Sequence, residues 1–346
     1  MTQSAETPQH DMPLEQIQAA AARIQGRVQR TPMLSSRRAA AVLEAASGVR
    51  IGAGPQADGQ PRVFIKAEHL QVTGSFKPRG AVNRVERLTT EERSHGLITL
   101  SAGNHAQAVA YAGRAAGLPV TVVMNADANA AKRESTLGYG AAIVSEGVDP
   151  TNREEIAREL AEREGFALVH PFDDWNVIAG QGTAALELFE DVPSLDAVVT
   201  PIGGGGLLSG TALACRLASP STRAYGAEPA ASPDAQRSLA EGRRVRLDYA
   251  PSTISDGART VQMGVRTFAV LSELCAGISL VDDDAARVAM ALVWDTTKLL
   301  IEPTSALAIA AVAAGAVPGE RIGVVLSGGN VDARALAETI RVEETA

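Results

Sequence analysis

From Gly80 onward the chain alternates helix-like stretches of ten or more residues with short apolar runs at 96–100, 119–124, 141–144 and 167–169. Such alternation predicts βαβ units and parallel sheets. Further strands are expected over 63–68, 197–202 and 321–326, and a helix over 207–217. Near the start, residues 14–27 carry an amphipathic helical pattern, and Thr31-Pro32 leads into a second helix over 36–46. The stretch 48–62 is rich in Gly, Pro and Ala and reads as a surface loop. The four runs between 96 and 172 would form a small sheet of their own.

Composition narrows the picture. A chain of 346 residues with 45% hydrophobic content exceeds one usual domain, so two are expected. A net charge of −8 and no basic cluster with interleaved aromatics argue against nucleic acid as a partner. Cys215 and Cys275 fall in apolar, helical-looking runs and read as buried reduced thiols. Residues 1–12 are polar, lack an apolar core segment and are expected to be disordered. No run approaches a membrane span, so the expected location is cytoplasmic.

Candidate chemistry sits in four separated segments. Thr73-Gly74-Ser75-Phe76-Lys77 puts a lysine beside an aromatic ring just after a strand, and a desolvated lysine can lose its proton and attack an aldehyde. Ser101-Ala102-Gly103-Asn104 opens a small-residue helix suited to hold an anion on backbone amides. Gly203-Gly204-Gly205-Gly206, between a strand and a helix, suits a phosphate. A dinucleotide loop is the weaker alternative, because no suitably placed acidic residue follows the next strand. Ser327 stands at the carboxyl end of the last strand, the edge where ligands of open α/β sheets gather.

Read in this order, the segments resemble the threonine and serine dehydratases and serine racemases among the tryptophan synthase β-like, fold type II pyridoxal phosphate enzymes. The resemblance runs from about residue 14 to about residue 336 and includes Ile178-Ala179-Gly180-Gln181-Gly182-Thr183, Thr253-Ile254-Ser255-Asp256-Gly257 and Ile301-Glu302-Pro303-Thr304. It implies an α/β fold of two doubly wound parallel-sheet domains: a small one, 96–172, inserted in a large one, 1–95 with 173–346. The 16 residues 331–346 after Asn330 leave no room for a C-terminal amino-acid-sensing domain.

The resemblance also implies roles. Lys77 would bond the cofactor aldehyde and then act as the base that takes the substrate α-proton. Phe76 would pack by the cofactor ring and Asn104 would meet its phenolic oxygen. Gly203, Gly204, Gly205, Gly206 and the Leu207 amide would cradle the phosphate, and Ser327 would face the pyridine nitrogen. Ser75, Ser101, Gly103 and Asn104 would hold the substrate carboxylate. A hydroxyl facing the ring nitrogen, unlike a carboxylate, leaves the ring a moderate electron sink, enough for β-elimination.

Racemisation would need a second acid/base where the racemases place a serine, and Ala102 has no proton to give. The expected activity is therefore that of an L-threonine or L-serine ammonia-lyase, yielding 2-oxobutanoate or pyruvate with ammonia. A 3-hydroxyaspartate ammonia-lyase, a racemase and a silent binding protein are the alternatives. Glu228, the Ser232 carbonyl and Asp234 match the set that holds Mg²⁺ or Ca²⁺ in racemase-like members, against an exposed acidic loop without an ion. Val72 and Phe172 depart from the residues of the nucleotide effector site. A homo-oligomer, dimer or tetramer, is implied. Asp173-Asp174 and Asp282-Asp283-Asp284 read as helix N-caps.

Overall fold

Strands arise where apolar runs can be buried on both faces, and helices where the apolar positions recur on one side. In the computed structural model the described residues are 15–47, 62–101, 103–126, 128, 130–149 and 152–332. The strands are β1 (Met33–Ser35), β2 (Val63–Lys66), β3 (Leu97–Leu100), β4 (Val120–Val123), β5 (Ala142–Val144), β6 (Ala167–Leu168), β7 (Ala197–Pro201), β8 (Arg223–Pro229), β9 (Cys275–Val281) and β10 (Ile322–Val325). The helices are α1 (Glu15–Ile24), α2 (Arg37–Ser47), α3 (Lys77–Glu86), α4 (Thr90–His95), α5 (Asn104–Ala116), α6 (Ala130–Gly138), α7 (Arg153–Glu164), α8 (Trp175–Asp191), α9 (Gly206–Ala218), α10 (Asp234–Glu241), α11 (Val265–Leu274), α12 (Asp283–Thr297) and α13 (Pro303–Ala313).

Two sheets result. One has the order β5-β4-β3-β6 and is parallel throughout. The other has the order β1-β2-β10-β7-β8-β9, so strands from both ends of the chain meet at β2 and β10. Its parallel character is broken at one edge, where β1 runs antiparallel to β2 with Leu34 opposite Ile65. That three-residue strand has too little pattern to be read from sequence. The central strands β2, β7 and β10 are buried along their whole length, as two-sided covering by helices requires.

Helix α8 packs closely on α9, where a Cβ on Gly210 would lie 2.5 Å from the Gly182 nitrogen. Asp174 caps α8 by accepting from the Asn176 and Val177 amides, and Asp282 caps α12 through the Ala285 amide. Cys215 is a buried free thiol as expected, but Cys275 opens strand β9 and is only half-buried. Its apolar run is divided between the end of helix α11 and the edge strand β9. Among the described residues no helix is long and apolar enough to cross a membrane. The expectations on residues 1–12, on most of the 48–62 loop and on Ala102 lie outside the described residues.

Candidate active site

A cavity of about 170 Å³ is lined by residues that follow the carboxyl ends of β3, β4, β7 and β10, namely Ser101, Asn125, Gly203 and Ser327. Parallel strands direct their loops to this edge, so four distant segments share one space.

Lys77 is the first residue of α3, followed by Pro78, whose fixed backbone suits a helix start. Its amine donates to the Pro171 carbonyl at 2.9 Å and stands 5.1 Å from the centre of the Phe76 ring. Desolvation lowers its pKa to about 8, with Glu302 pulling the other way. Phe76 is tied to the last strand, since its amide donates to the Ser327 carbonyl at 2.9 Å. Both Phe76 and Lys77 line the cleft.

A buried ionic network anchors this helix start. Arg79, two residues after Lys77, donates from Nε to Glu68 at 2.7 Å and from Nη1 to Glu187 at 2.7 Å. Lys66 on β2 donates to Glu187 and to the Thr31 carbonyl, both at 2.6 Å. Burial opposes the Glu68 charge, but the charge and hydrogen bonds of Arg79, with Thr31 and Lys66, together outweigh it and hold the carboxyl below its ordinary range. Two cations and two carboxylates thus offset one another where no single charge could be left.

Gly203 to Gly206 join β7 to α9. Gly205 has φ +96°, a left-handed backbone that favours glycine, and a Cβ on Gly204 would lie 2.3 Å from Cδ1 of the Phe172 ring. The Gly204 carbonyl is held by the Thr267 hydroxyl at 2.7 Å. The first-turn amides of α9 have no partners within the helix, which makes this end an anion site, and all four glycines and Leu207 line the cleft.

At the start of α5, the Ser101 hydroxyl accepts from the Gly103 amide at 3.1 Å. Asn104 donates to Glu302 Oε1 at 2.8 Å and accepts from Asn330 at 2.9 Å. Ser101, Gly103 and Asn104 line the cleft; Ser75 does not. Ser75 is wholly buried, bridges to Gly328, and its hydroxyl has no partner among the described residues. His105 bonds the Val169 carbonyl through Nε2 at 3.0 Å, and burial drives its pKa well below the usual value, so it is neutral.

Glu302 caps the end of this arrangement. Burial raises its pKa to about 7 against the pull of Lys132 and Asn104, and its Oε2 is buried without a partner among the described residues. Ser327 lines the cleft with its hydroxyl 3.1 Å from that of Ser305, and no charge stands on it. A desolvated amine, helix-end amides beside glycines with no room for a side chain, and an unpartnered buried carboxyl oxygen fit the aldehyde, phosphate and polar ring substituents of pyridoxal phosphate.

Glu228 and Asp234 are fully buried, not exposed as an empty acidic loop would be. Glu228 accepts from the Ala235 and Gln236 amides at 2.7 and 2.8 Å. Burial, then the neighbouring Asp234, push its pKa up to about 8, and burial pushes Asp234 up to about 7. Asp234 Oδ2 is left without a partner among the described residues. The Ser232 hydroxyl donates to the Thr260 carbonyl at 2.6 Å, and Thr260 donates to Asp234 at 3.1 Å. Carboxylate oxygens are the donors that Mg²⁺ or Ca²⁺ takes, but both Glu228 oxygens accept from backbone amides, and among the described residues no group of three or more His, Cys, Asp or Glu stands together.

Several cleft residues carried no role in the sequence reading. Lys132 on α6 is ion-paired to Asp256, and Arg153 and Arg259 also face the cavity. Phe172 covers the glycine loop and stacks edge-on with His170, ring centres 4.7 Å apart. Glu302 lay inside a quoted motif, but nothing in the sequence said what it faces.

A family profile described as pyridoxal-phosphate dependent enzyme matches residues 25–328. The chain is 42% identical over 324 residues to an L-threo-3-hydroxyaspartate ammonia-lyase of Saccharomyces cerevisiae, covering 93% of this chain and 94% of the relative. It is 38% identical over 338 residues to a serine racemase of Dictyostelium discoideum, covering 96% and 99%. Among solved structures, a threonine deaminase of T.th. superimposes with a TM-score of 0.82 at 44% identity, covering 92% of this chain and 98% of that one.

Proposed function

The chain belongs to the pyridoxal-phosphate dependent enzyme family, and from that membership we propose that it removes ammonia from a 3-hydroxy-L-amino acid by β-elimination. The observation that carries this reading is the desolvated Lys77 amine in one cleft with an uncharged Ser327 and a glycine-lined helix end. Lys77, Phe76, Asn104, Gly203 to Leu207 and Ser327 would hold the cofactor. Bound there, pyridoxal phosphate would supply the electron sink for charge developing at the substrate α-carbon.

The residues divide the work. The Pro171 carbonyl orients the Lys77 amine, which takes the α-proton in its neutral form. The amides at the start of α5, with Ser101, would hold the α-carboxylate. As the α-proton goes to Lys77, the bond to the β-hydroxyl breaks and hydroxide leaves, taking up a proton as water. The released enamine tautomerises and is hydrolysed, so that the net products are a 2-oxo acid and ammonia. L-Threonine would give 2-oxobutanoate and L-serine pyruvate. The ammonia-lyase and threonine deaminase names among the relatives support elimination. The racemase relative raises a second activity, but Ala102 offers no second proton donor.

Glu228, Asp234 and the Ser232 carbonyl would hold Mg²⁺ or Ca²⁺, and Thr260 borders both that site and the cleft. The cation would steady the 256–260 segment and take no part in the chemistry. The experiment is 2-oxo acid and ammonia release by the cofactor-loaded protein from L-threonine, L-serine and 3-hydroxyaspartate, with and without Mg²⁺. Equal release of both products supports the reading. Loss of optical rotation without either product overturns it.

A further inference from the structure

Two arginines line the cleft from different elements, and among the described residues neither is engaged in an ion pair. Arg153 is the first residue of α7, which packs on the four-stranded sheet, and Arg259 follows the 3-10 helix Asp256–Ala258 on the side of the six-stranded sheet. Both line the cavity. Among the described residues neither side chain makes a hydrogen bond or an ion pair. Arg153 is half-buried and Arg259 is exposed at the cavity's rim; burial lowers the Arg153 pKa and the Arg259 charge lowers it further, outweighing the adjacent Glu154. Two like charges lining one cavity, one of them half-buried, favour the entry of an anion between them. A guanidinium fork matches a carboxylate with two parallel hydrogen bonds.

The other anions of the proposed reaction have sites already. The cofactor phosphate has the glycine loop and the start of α9, and the α-carboxylate has the start of α5. Of the two lysines that line the cavity, Lys77 is the proposed cofactor lysine and Lys132 is paired with Asp256. A hydrogen or a methyl group at the β-carbon, as in L-serine or L-threonine, offers nothing to two guanidinium groups. We infer that Arg153 and Arg259 form a subsite for a second substrate carboxylate, and that the enzyme prefers a 3-hydroxy dicarboxylic amino acid, 3-hydroxyaspartate, over L-threonine and L-serine. This rests on the β-elimination proposed above. The α-proton goes to Lys77, the β-hydroxyl leaves as water, and hydrolysis of the released enamine gives oxaloacetate and ammonia.

The test uses cofactor-loaded wild type, Arg153→Met, Arg153→Lys and Arg259→Gln. Steady-state kinetics with 3-hydroxyaspartate and L-serine are paired with binding of L-aspartate and L-alanine, which lack the leaving group, read as spectral shifts of the bound cofactor. Pyridoxal phosphate affinity is measured in parallel. Wild type should favour the dicarboxylate, and Arg153→Met should cut the ratio of kcat/KM values by about 100-fold, mostly through KM, with partial recovery in Arg153→Lys. L-Aspartate should outbind L-alanine in wild type and lose that advantage in Arg153→Met and Arg259→Gln. Residual L-serine turnover reports that each variant is folded. An unchanged ratio, or a fall in pyridoxal phosphate affinity that accounts for the loss, overturns the subsite. If no substrate releases an oxo acid while L-aspartate still outbinds L-alanine, the elimination reading fails and the subsite stands.

Discussion

Arg79 grips Glu68 with both edges of its guanidinium, Nε to Oε2 at 2.7 Å and Nη2 to Oε1 at 2.8 Å, with both side chains fully buried two residues beyond Lys77. Arg79→Met would leave Glu68 and much of Glu187 without a counter-charge in the interior. Breaking one side of such a pair costs about 3–5 kcal/mol. Denaturant unfolding of the cofactor-loaded protein should show that loss, and Arg79→Met combined with Glu68→Leu should regain part of it. A loss below about 1 kcal/mol for the single variant would mean that the network does not anchor the lysine helix.

Gly204→Ala probes the phosphate loop. Its new Cβ would meet the Phe172 ring. Overpacking of this kind costs about 1–3 kcal/mol, so pyridoxal phosphate affinity should fall about tenfold or more. Equilibrium titration of the cofactor-free protein measures it. Unaltered affinity would place the phosphate elsewhere.

Lys77 attacks an aldehyde only as the neutral amine. With its pKa lowered to about 8 by burial, the rate at which the cofactor-free protein captures pyridoxal phosphate should rise up to about pH 8 and then level. An ordinary lysine would keep the rate climbing to about pH 10. Stopped-flow absorbance separates the two.

Glu228 and Asp234 give stability a pH dependence. Their folded pKa values of about 8 and about 7 lie above the ordinary carboxyl range, so folding favours the protonated forms. The stability this allows is complete below about pH 4 and is lost as pH rises through 8, by up to about 1.4 kcal/mol per pH unit for each group. In a chelator, unfolding free energy should decline over that window. Mg²⁺, which needs the ionised carboxylates, should restore stability most at the alkaline end. Identical curves with and without Mg²⁺ or Ca²⁺ would remove the cation site.

How much of this was legible in sequence depended on whether a feature is local. The glycine run 203–206 and the lysine after Gly74-Ser75-Phe76 announce themselves, because each needs only a short segment with a set backbone. The alternating pattern foreshadowed both sheets for the same reason, while the antiparallel β1 was too short to show one. Arg153 and Arg259 were illegible: one begins a helix and the other follows a turn, and only the tertiary fold brings them to one space. Sequence could not decide whether Glu228 is a cation ligand or part of an exposed acidic loop, because a buried carboxyl and an exposed one are written with the same letter. Ser75 sits in the lysine motif, yet the bridge to Gly328 holds it behind the cleft wall.

Replacing Lys77 tests the central claim most directly. Wild type and Lys77→Ala, each saturated with pyridoxal phosphate, are compared for bound-cofactor absorbance and for 2-oxo acid release from L-threonine, L-serine and 3-hydroxyaspartate. Wild type should release an oxo acid with matching ammonia, and the variant should lose both the absorbance and at least about 10³-fold in turnover. Turnover retained in Lys77→Ala would contradict the account.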